Sequence, residues 1–174
     1  MTTAAKVPKS AIFELERTFS SPLDLVWAAH SDIGHLQHWW GPKGCKLDAL
    51  SLEFRPGGLF HYRMSYTTGA EMWGRFFYRD IADKKRIVWL NSFSNPGGGI
   101  TRAPFSNDCP LEMLNDMVFT EKAGKTTLSL TSQPFGATPA EVKFYADLKP
   151  SLAQGYGGTL DALEAYLNDR HLTA

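Results

Sequence analysis

The sequence predicts an α+β fold: an antiparallel sheet of six to seven strands, two short helices after the first strand, and a long C-terminal helix. Two observations lead to this prediction. Several segments, such as Leu59 to Tyr66, alternate apolar and polar residues and are separated by turns containing glycine or proline. The C-terminal segment instead repeats apolar residues every three or four positions, which is the period of an amphipathic helix.

The first strand and the two short helices are predicted near the N-terminus. Apolar and polar residues alternate from Ile12 to Phe19, which indicates a strand with one buried face. Ser20-Ser21-Pro22 is typical of a helix start and predicts a helix from about Pro22 to Ser31. A second helical turn over Gly34 to Trp40 should end at Gly41-Pro42, because the residue before a proline is disfavoured in the α region.

The remaining strands follow one another as hairpins, which predicts a meander. Their predicted ranges are Leu47 to Phe54, Leu59 to Tyr66, Glu71 to Ile81, Arg86 to Phe93, Glu112 to Glu121 and Thr126 to Gln133. The connection from Ser94 to Leu111 is longer than most in a compact domain, so we expect it to be functional or disordered. Its mixture of glycine, proline and phenylalanine suggests the hypothesis that it forms a lid over a cavity.

The C-terminal helix is predicted from one apolar stripe. The stripe consists of Leu148, Leu152, Tyr156, Leu160, Leu163 and Leu167. Pro139 opens an earlier helical piece, but Pro150 predicts a kink or break near Lys149, with the long helix starting near Pro150. Three glycines at 155, 157 and 158 either let the sheet approach the helix closely or leave space for a ligand.

Composition excludes several classes of function. Hydrophobic residues make up 43% of the chain and charged residues 21%, which is enough apolar material for a core. Eighteen basic residues balance eighteen acidic ones, so no nucleic-acid partner or anionic membrane partner is expected. The sequence shows no signal-peptide core and no membrane span, and we expect a cytoplasmic protein in which Cys45 and Cys109 stay reduced.

Sequence motifs for cofactors and metals are absent. The chain has no Gly-x-Ser-x-Gly elbow, no His-Glu-x-x-His and no phosphate loop, so no cofactor is expected. His30, His35 and His38 lie near one another in sequence without a cysteine or carboxylate at a familiar ligand spacing, so no metal is expected either. We predict a flexible N-terminus over residues 1–11, one domain over 12–169 and a tail over 170–174.

The order and content of five segments resemble a known family. The segments are FSSPLDLVWAAHSDIGHLQHWWGP, EFRPGGLFHYRM, MWGRFFYRDI, MVFTEKAGKTTLSL and GYGGTLDALEAYL, and the resemblance covers Phe13 to Leu167. They are similar to the family described as activator of heat-shock protein 90 ATPase homologue-like. That family is part of the START-related (SRPBCC) group, which includes polyketide cyclases, plant Bet-v-type proteins and lipid-transfer domains.

This resemblance implies the helix-grip fold, in which a curved sheet wraps around the long helix and leaves a cavity that holds hydrophobic molecules. Function varies within this fold, so it has to be argued from the site. The family name also suggests a link to the stress response and a chaperone partner. The eukaryotic co-chaperones of the family carry a separate N-terminal domain for which this chain has no room, and this puts that activity in doubt.

Candidate cavity residues follow from strand parity and from the helix stripe. Aromatic rings with polar tips suit a pocket for an apolar or aromatic ligand. The predicted ligand-binding residues are Trp40, Phe60, Tyr62, Met64, Phe76, Tyr78, Trp89, Asn91, Asn115, Met117 and Tyr156. The same residues could instead fill a solid core, with their polar tips satisfying one another or a buried water.

Three functions are consistent with the sequence. The first is a carrier or sensor that binds a hydrophobic small molecule without turnover, as a monomer or homodimer. The second is a cyclase-like acid-base enzyme, which requires a carboxylate or histidine at the cavity. The third is a protein that modulates a chaperone ATPase, and it rests on the resemblance alone.

The tandem tryptophans at 39 and 40 give one further expectation. Neighbours on a helix point about 100° apart, so the two rings face different surroundings. We expect Trp40 to face the cavity and its neighbour to seal the core.

Overall fold

The computed structural model describes residues 4–172, and within this range the chain forms eight strands and three α-helices. A 3-10 turn, Lys9–Ala11, precedes the first strand. The elements in chain order are β1 (Phe13–Phe19), α1 (Leu23–Ser31), α2 (Ile33–Leu36), β2 (Cys45–Leu52), β3 (Leu59–Tyr66), β4 (Glu71–Ala82), β5 (Arg86–Ser94), β6 (Ile100–Thr101), β7 (Glu112–Lys122), β8 (Lys125–Phe135) and α3 (Pro139–Leu172).

All strands belong to one antiparallel sheet in the order β1-β8-β7-β5-β4-β3-β2, with the short β6 paired to β5. This confirms the predicted α+β helix-grip fold, and the ends of the seven long strands differ from prediction by no more than two residues. Register shifts between Ala49 and Ser51 and between Tyr78 and Asp80 mark irregularities in the ladder. Such bulges bend and twist a strand, which helps this sheet to curve around α3.

Part of the hydrophobic core lies between α1 and the sheet. Trp27 of α1 packs edge-on against Phe54 and Phe119, with ring centroids 5.7 and 5.1 Å away. Val26 and Leu163 are completely buried between these layers. The space between α1 and the sheet is therefore filled by buried side chains.

The predicted break in the C-terminal helix is wrong. α3 is continuous from Pro139 to Leu172 and contains Pro150. Proline removes one helical hydrogen bond, but Pro150 is exposed, so water can satisfy the carbonyl that it leaves unpaired. Tyr145 before it and Leu160 after it are both buried in the protein. Packing on both sides of the proline outweighs its unfavourable helix propensity.

The chain before β1 packs against the start of α3. The amide of Ala5 donates to the carbonyl of Ala137 at 3.0 Å, and Ala11 is fully buried beside Val142. The domain limits at residues 12 and 169 stay predictions, and residues 1–3 and 173–174 of the predicted N-terminus and tail lie outside the described residues.

Candidate functional site

A cavity of about 260 Å³ lies between the inner face of the sheet and α3. Its wall is formed by β3, β5, β7, β8, α3 and the two loops that precede β2 and β7. Most of the lining side chains are apolar or aromatic. A concave, mostly apolar space of this kind is typical of a small-molecule site.

One face of α3 forms the side of the cavity opposite the sheet. Leu148, Leu152 and Gly155 line it at helical spacing, and Tyr156 and Thr159 continue the same surface. A β-carbon added at Gly155 would meet no atom within 4 Å. Close approach of the sheet therefore does not require glycine here, and the position leaves open space at the cavity wall.

The sheet side of the cavity comes from alternate residues of three central strands. Tyr62 and Met64 project from β3, Asn91 and Phe93 from β5, and Met113 from β7. The same five residues also line an adjoining pocket of about 120 Å³. On these three strands, the face that carries the candidate ligand-binding residues is therefore the one that borders the cavity.

Gly74 allows the Tyr62 ring to lie flat on the neighbouring strand. The two residues are directly opposed in the register of β3 and β4. A β-carbon at Gly74 would lie 2.5 Å from the phenol oxygen of Tyr62, which is far inside van der Waals contact. Glycine at this position thus sets the orientation of one wall of the cavity.

The two adjacent tryptophans face different surroundings, as expected. Trp39 is buried in the core and its indole nitrogen donates to the carbonyl of Ala29 at 2.9 Å. Trp40 lines the cavity and packs edge-on against Phe76 at 5.0 Å and Tyr62 at 6.4 Å. The interplanar angle between the two indoles is 85°.

The structure brings five of the eleven predicted residues to the cavity and leaves six in the core. Those at the cavity are Trp40, Tyr62, Met64, Asn91 and Tyr156. Those packed in the core are Phe60, Phe76, Tyr78, Trp89, Asn115 and Met117. All six core residues are on the predicted inner face but do not line the cavity. Whether the five cavity residues bind a ligand stays a prediction.

Hydroxyl groups at the cavity are largely engaged with the protein. Tyr145 donates to Ser132 at 2.7 Å, and Tyr156 donates to the Asn115 side-chain carbonyl at 3.3 Å. Burial raises the pKa of Tyr145 to about 12, although the hydrogen bond to Ser132 opposes this shift. Burial also raises the pKa values of Tyr62 and Tyr156. These phenols are therefore neutral at physiological pH.

No charged side chain reaches the cavity. None of the described residues that line it is an aspartate, glutamate, histidine, lysine or arginine. The remaining ionisable group is the thiol of Cys109, and its burial raises its pKa. Among the side chains that the structure describes, which are those of residues 4–170, no three histidine, cysteine or acidic groups converge as a metal-ligand set would. The cavity is thus electrically neutral and largely apolar.

The long loop between β5 and β7 contributes to the cavity wall. Phe105 and Cys109 line the wall, and Phe105 contacts Phe93 edge-on at 5.7 Å although 60% of it is exposed. Arg102 anchors this loop by donating to the Cys109 carbonyl at 3.0 Å and to the Glu141 carboxylate at the start of α3. The lid role of this loop stays a hypothesis.

Glu141 also completes a capping box at the start of α3. Its carboxylate accepts from the Thr138 amide at 2.7 Å, and its own amide donates to the Thr138 hydroxyl at 3.3 Å. Burial by itself would raise the pKa of Glu141, but the hydrogen bonds from Arg102 and Thr138 hold it below its usual value. One buried carboxylate therefore fixes both the helix end and the loop.

Sequence reasoning missed the lining residues on the loop and on the first turns of α3. Phe105 and Cys109 have no periodicity to mark them, and the only available signal was the length of the loop. Tyr145 and Ser132 were also missed. A helix broken near Lys149 would place Tyr145 outside the main helix, whereas in the continuous α3 Tyr145 and Leu152 lie on one face.

The fold and the cavity together define the class of protein. An antiparallel sheet wrapped around a long C-terminal helix, with an apolar cavity between them, is a helix-grip domain. The family model described as "Activator of Hsp90 ATPase homolog 1-like protein" matches residues 20–168. The chain therefore belongs to this family, which confirms the resemblance noted in the sequence.

Solved structures show the same fold at low sequence identity. Protein Ms6760 from Mycobacterium smegmatis is 20% identical, with 93% of this chain and 94% of that chain covered and a TM-score of 0.73. Protein NE0264 from Nitrosomonas europaea is also 20% identical, with coverages of 95% and 99% and a TM-score of 0.75. A protein from Arthrobacter aurescens is 19% identical, with coverages of 96% and 93% and a TM-score of 0.76.

A comparison with curated proteins gave no significant match. No helix in the described part of the chain is long and apolar enough to cross a membrane.

Proposed function

We propose that this protein binds a hydrophobic small molecule in the cavity between the sheet and α3, as a carrier or sensor. The cavity itself is the observation that carries this proposal. It measures about 260 Å³ and is lined mainly by apolar and aromatic side chains. Transfer of an apolar ligand from water into such a space is favourable by roughly 25 cal/mol for each Å² of apolar surface removed from water.

Gly155 supports the same proposal. Glycine inside a helix costs roughly 0.8 to 1 kcal/mol relative to alanine, and nothing within 4 Å of this position requires the absence of a side chain. The side chain that is missing here would project into the cavity. Keeping the volume free for a ligand accounts for this unfavourable residue.

The chemistry of the lining favours binding over acid-base catalysis. An enzyme of the cyclase type needs a positioned acid or base near the reacting atoms. The described lining residues include no carboxylate or histidine, and the pKa values of Tyr62, Tyr145 and Tyr156 are raised rather than brought near neutrality. The cavity offers shape and hydrogen bonds, which suit a carrier.

Filling the cavity from the helix tests this proposal. In Gly155→Leu the new side chain should occupy the cavity and lower the affinity for the neutral fluorescent probe N-phenyl-naphthylamine at least tenfold. Gly157→Leu is the matched control, because Gly157 also has no atom within 4 Å of an added β-carbon but does not line the cavity. Both variants should gain up to about 1 kcal/mol of stability from helix propensity.

Probe titration followed by fluorescence, with urea unfolding for stability, separates the outcomes. The proposal predicts that the control binds the probe as the parent protein does. It fails if the parent protein binds no probe and native mass spectrometry of freshly purified protein finds no bound small molecule. It also fails if Gly155→Leu binds the probe as tightly as the parent.

A further inference from the structure

Asn91 places an unpaired carboxamide at the cavity wall. It lies on β5, is half-buried, and is opposed across the sheet by Phe76 on one side and Met113 on the other. Its side chain lines both the main cavity and the adjoining pocket. Among residues 4–170, whose side chains the structure describes, no protein group hydrogen-bonds to this carboxamide.

The other polar groups at the cavity differ from Asn91 in this respect. Tyr145 and Tyr156 donate to Ser132 and Asn115, and Thr159 donates to the carbonyl of Gly41 at 3.0 Å. Ser151 also lines the cavity but is solvent-exposed. These three hydroxyls are thus bonded within the protein, whereas the amide of Asn91, which has both a donor and an acceptor, lies at the cavity wall without such a partner.

From this arrangement we infer that the ligand is an uncharged molecule of one or two rings that carries a carbonyl or amide group, and that Asn91 binds this group. The inference rests on the proposed function. A carboxamide among apolar neighbours is stabilised when a ligand supplies the complementary donor and acceptor. Tyr62, which borders the same small pocket, offers one further hydroxyl to such a group.

Charge and size narrow the class of ligand. An anionic ligand would lose its hydration without gaining a cationic partner, because no lysine or arginine is among the described lining residues. Even with the adjoining pocket of about 120 Å³, the cavity of about 260 Å³ reaches only the lower end of the roughly 300 to 1,000 Å³ of pockets for drug-sized ligands. Long fatty acids and other charged lipids are therefore outside this class, because they carry a charge or exceed the size of the cavity.

Three probes with the same ring system test the inference. Naphthamide, methylnaphthalene and naphthoate differ only in the group attached to the ring, and each can be titrated against bound N-phenyl-naphthylamine. The parent protein should bind naphthamide most tightly and naphthoate most weakly. Asn91→Leu should lower the affinity for naphthamide about tenfold, which corresponds to the loss of one or two hydrogen bonds, and leave methylnaphthalene unchanged or tighter.

Met113→Leu is the control for general effects on the cavity wall. Met113 pairs with Asn91 across the sheet and lines the same cavity, but its side chain has no amide group that could hydrogen-bond to a ligand. This variant should shift the affinities for all three probes by a similar factor. Thermal unfolding of both variants establishes that each is folded.

The outcomes separate this inference from the proposed function. If methylnaphthalene binds but naphthamide has no advantage, or if Asn91→Leu leaves that advantage intact, the inference is overturned while cavity binding stands. Tightest binding of naphthoate would also overturn it. If no probe binds to the parent protein, the inference fails, and the proposed function fails with it if native mass spectrometry also finds no bound small molecule.

Discussion

Trp39 and Trp40 are adjacent in sequence but contribute to different properties of the molecule. Trp39 is 3% exposed and uses its indole nitrogen to hold the carbonyl of Ala29 at the end of α1. Trp40 is only partly buried and presents its ring to the cavity beside Phe76. Stability and ligand binding are therefore expected to depend on different members of the pair.

Replacing each tryptophan by leucine should separate the two properties. Trp39→Leu removes a hydrogen bond and leaves a void in the core, so the free energy of unfolding should fall by about 3 kcal/mol, while probe affinity in the folded protein changes little. Trp40→Leu should change probe affinity several-fold and lower stability by less. Urea unfolding and probe titration measure the two quantities. Equal effects of both variants on stability and affinity would contradict the assignment.

At the scale of elements, Arg102 and Glu141 join the long loop to the start of α3, and we predict that this link slows the release of a ligand from the cavity. Arg102 holds the loop to Glu141, a carboxylate whose side chain is only 8% exposed and which also caps α3. Arg102→Met should leave this buried carboxylate without its charged partner and lower stability by about 1 to 3 kcal/mol. A loosened loop should also release the probe several-fold faster, as measured by stopped-flow fluorescence.

Arg86→Met provides the control for this variant. Arg86 pairs with Asp116 at 2.6 Å, but both side chains are substantially exposed and lie away from the cavity wall. Its loss should lower stability by less than about 1 kcal/mol and leave the release rate unchanged. If Arg102→Met releases the probe at the parent rate, the loop does not act as a lid.

The elements themselves were largely predictable because each depends on local sequence. The strand Leu59–Tyr66 was predicted with its observed bounds, since alternation and flanking turns act within a few residues. The break near Pro150 was predicted wrongly, because burial of Tyr145 and Leu160 is a tertiary effect that local propensity does not contain. Local signals thus give the type of an element more reliably than its continuity.

The cavity residues were harder to predict. Alternation of apolar and polar residues indicates which face of a strand is buried, but not which residues along that face line a cavity. Asn91 and Asn115 share the inner face, yet Asn91 lines the cavity whereas Asn115 is completely buried beneath Tyr156. Their difference depends on where the Tyr156 side chain of α3 lies against the sheet. The loop residue Phe105 depends on a distant anchor between Arg102 and Glu141, which no local pattern indicates.

At the scale of the whole molecule, one buried histidine should make stability depend on pH. His30 packs edge-on against Trp39 and Phe119, and burial lowers its pKa to about 4, although a hydrogen bond with the Val26 carbonyl opposes this shift. The unfolded chain takes up this proton near pH 6.5, whereas the folded protein takes it up only near pH 4. Stability should therefore fall as the pH drops from about 6.5 to about 4, by up to about 3 kcal/mol at roughly 1.4 kcal/mol per pH unit.

His30→Phe tests this prediction because it keeps an aromatic ring in the core but removes the titrating group. Its unfolding free energy should be nearly independent of pH between about 6.5 and 4.5, whereas that of the parent protein declines. Carboxylates with lowered pKa values, such as Asp48 and Glu141, contribute stability that is lost only at more acidic pH. Urea unfolding at several pH values measures both curves, and parallel declines in parent and variant would show that His30 is not the group responsible.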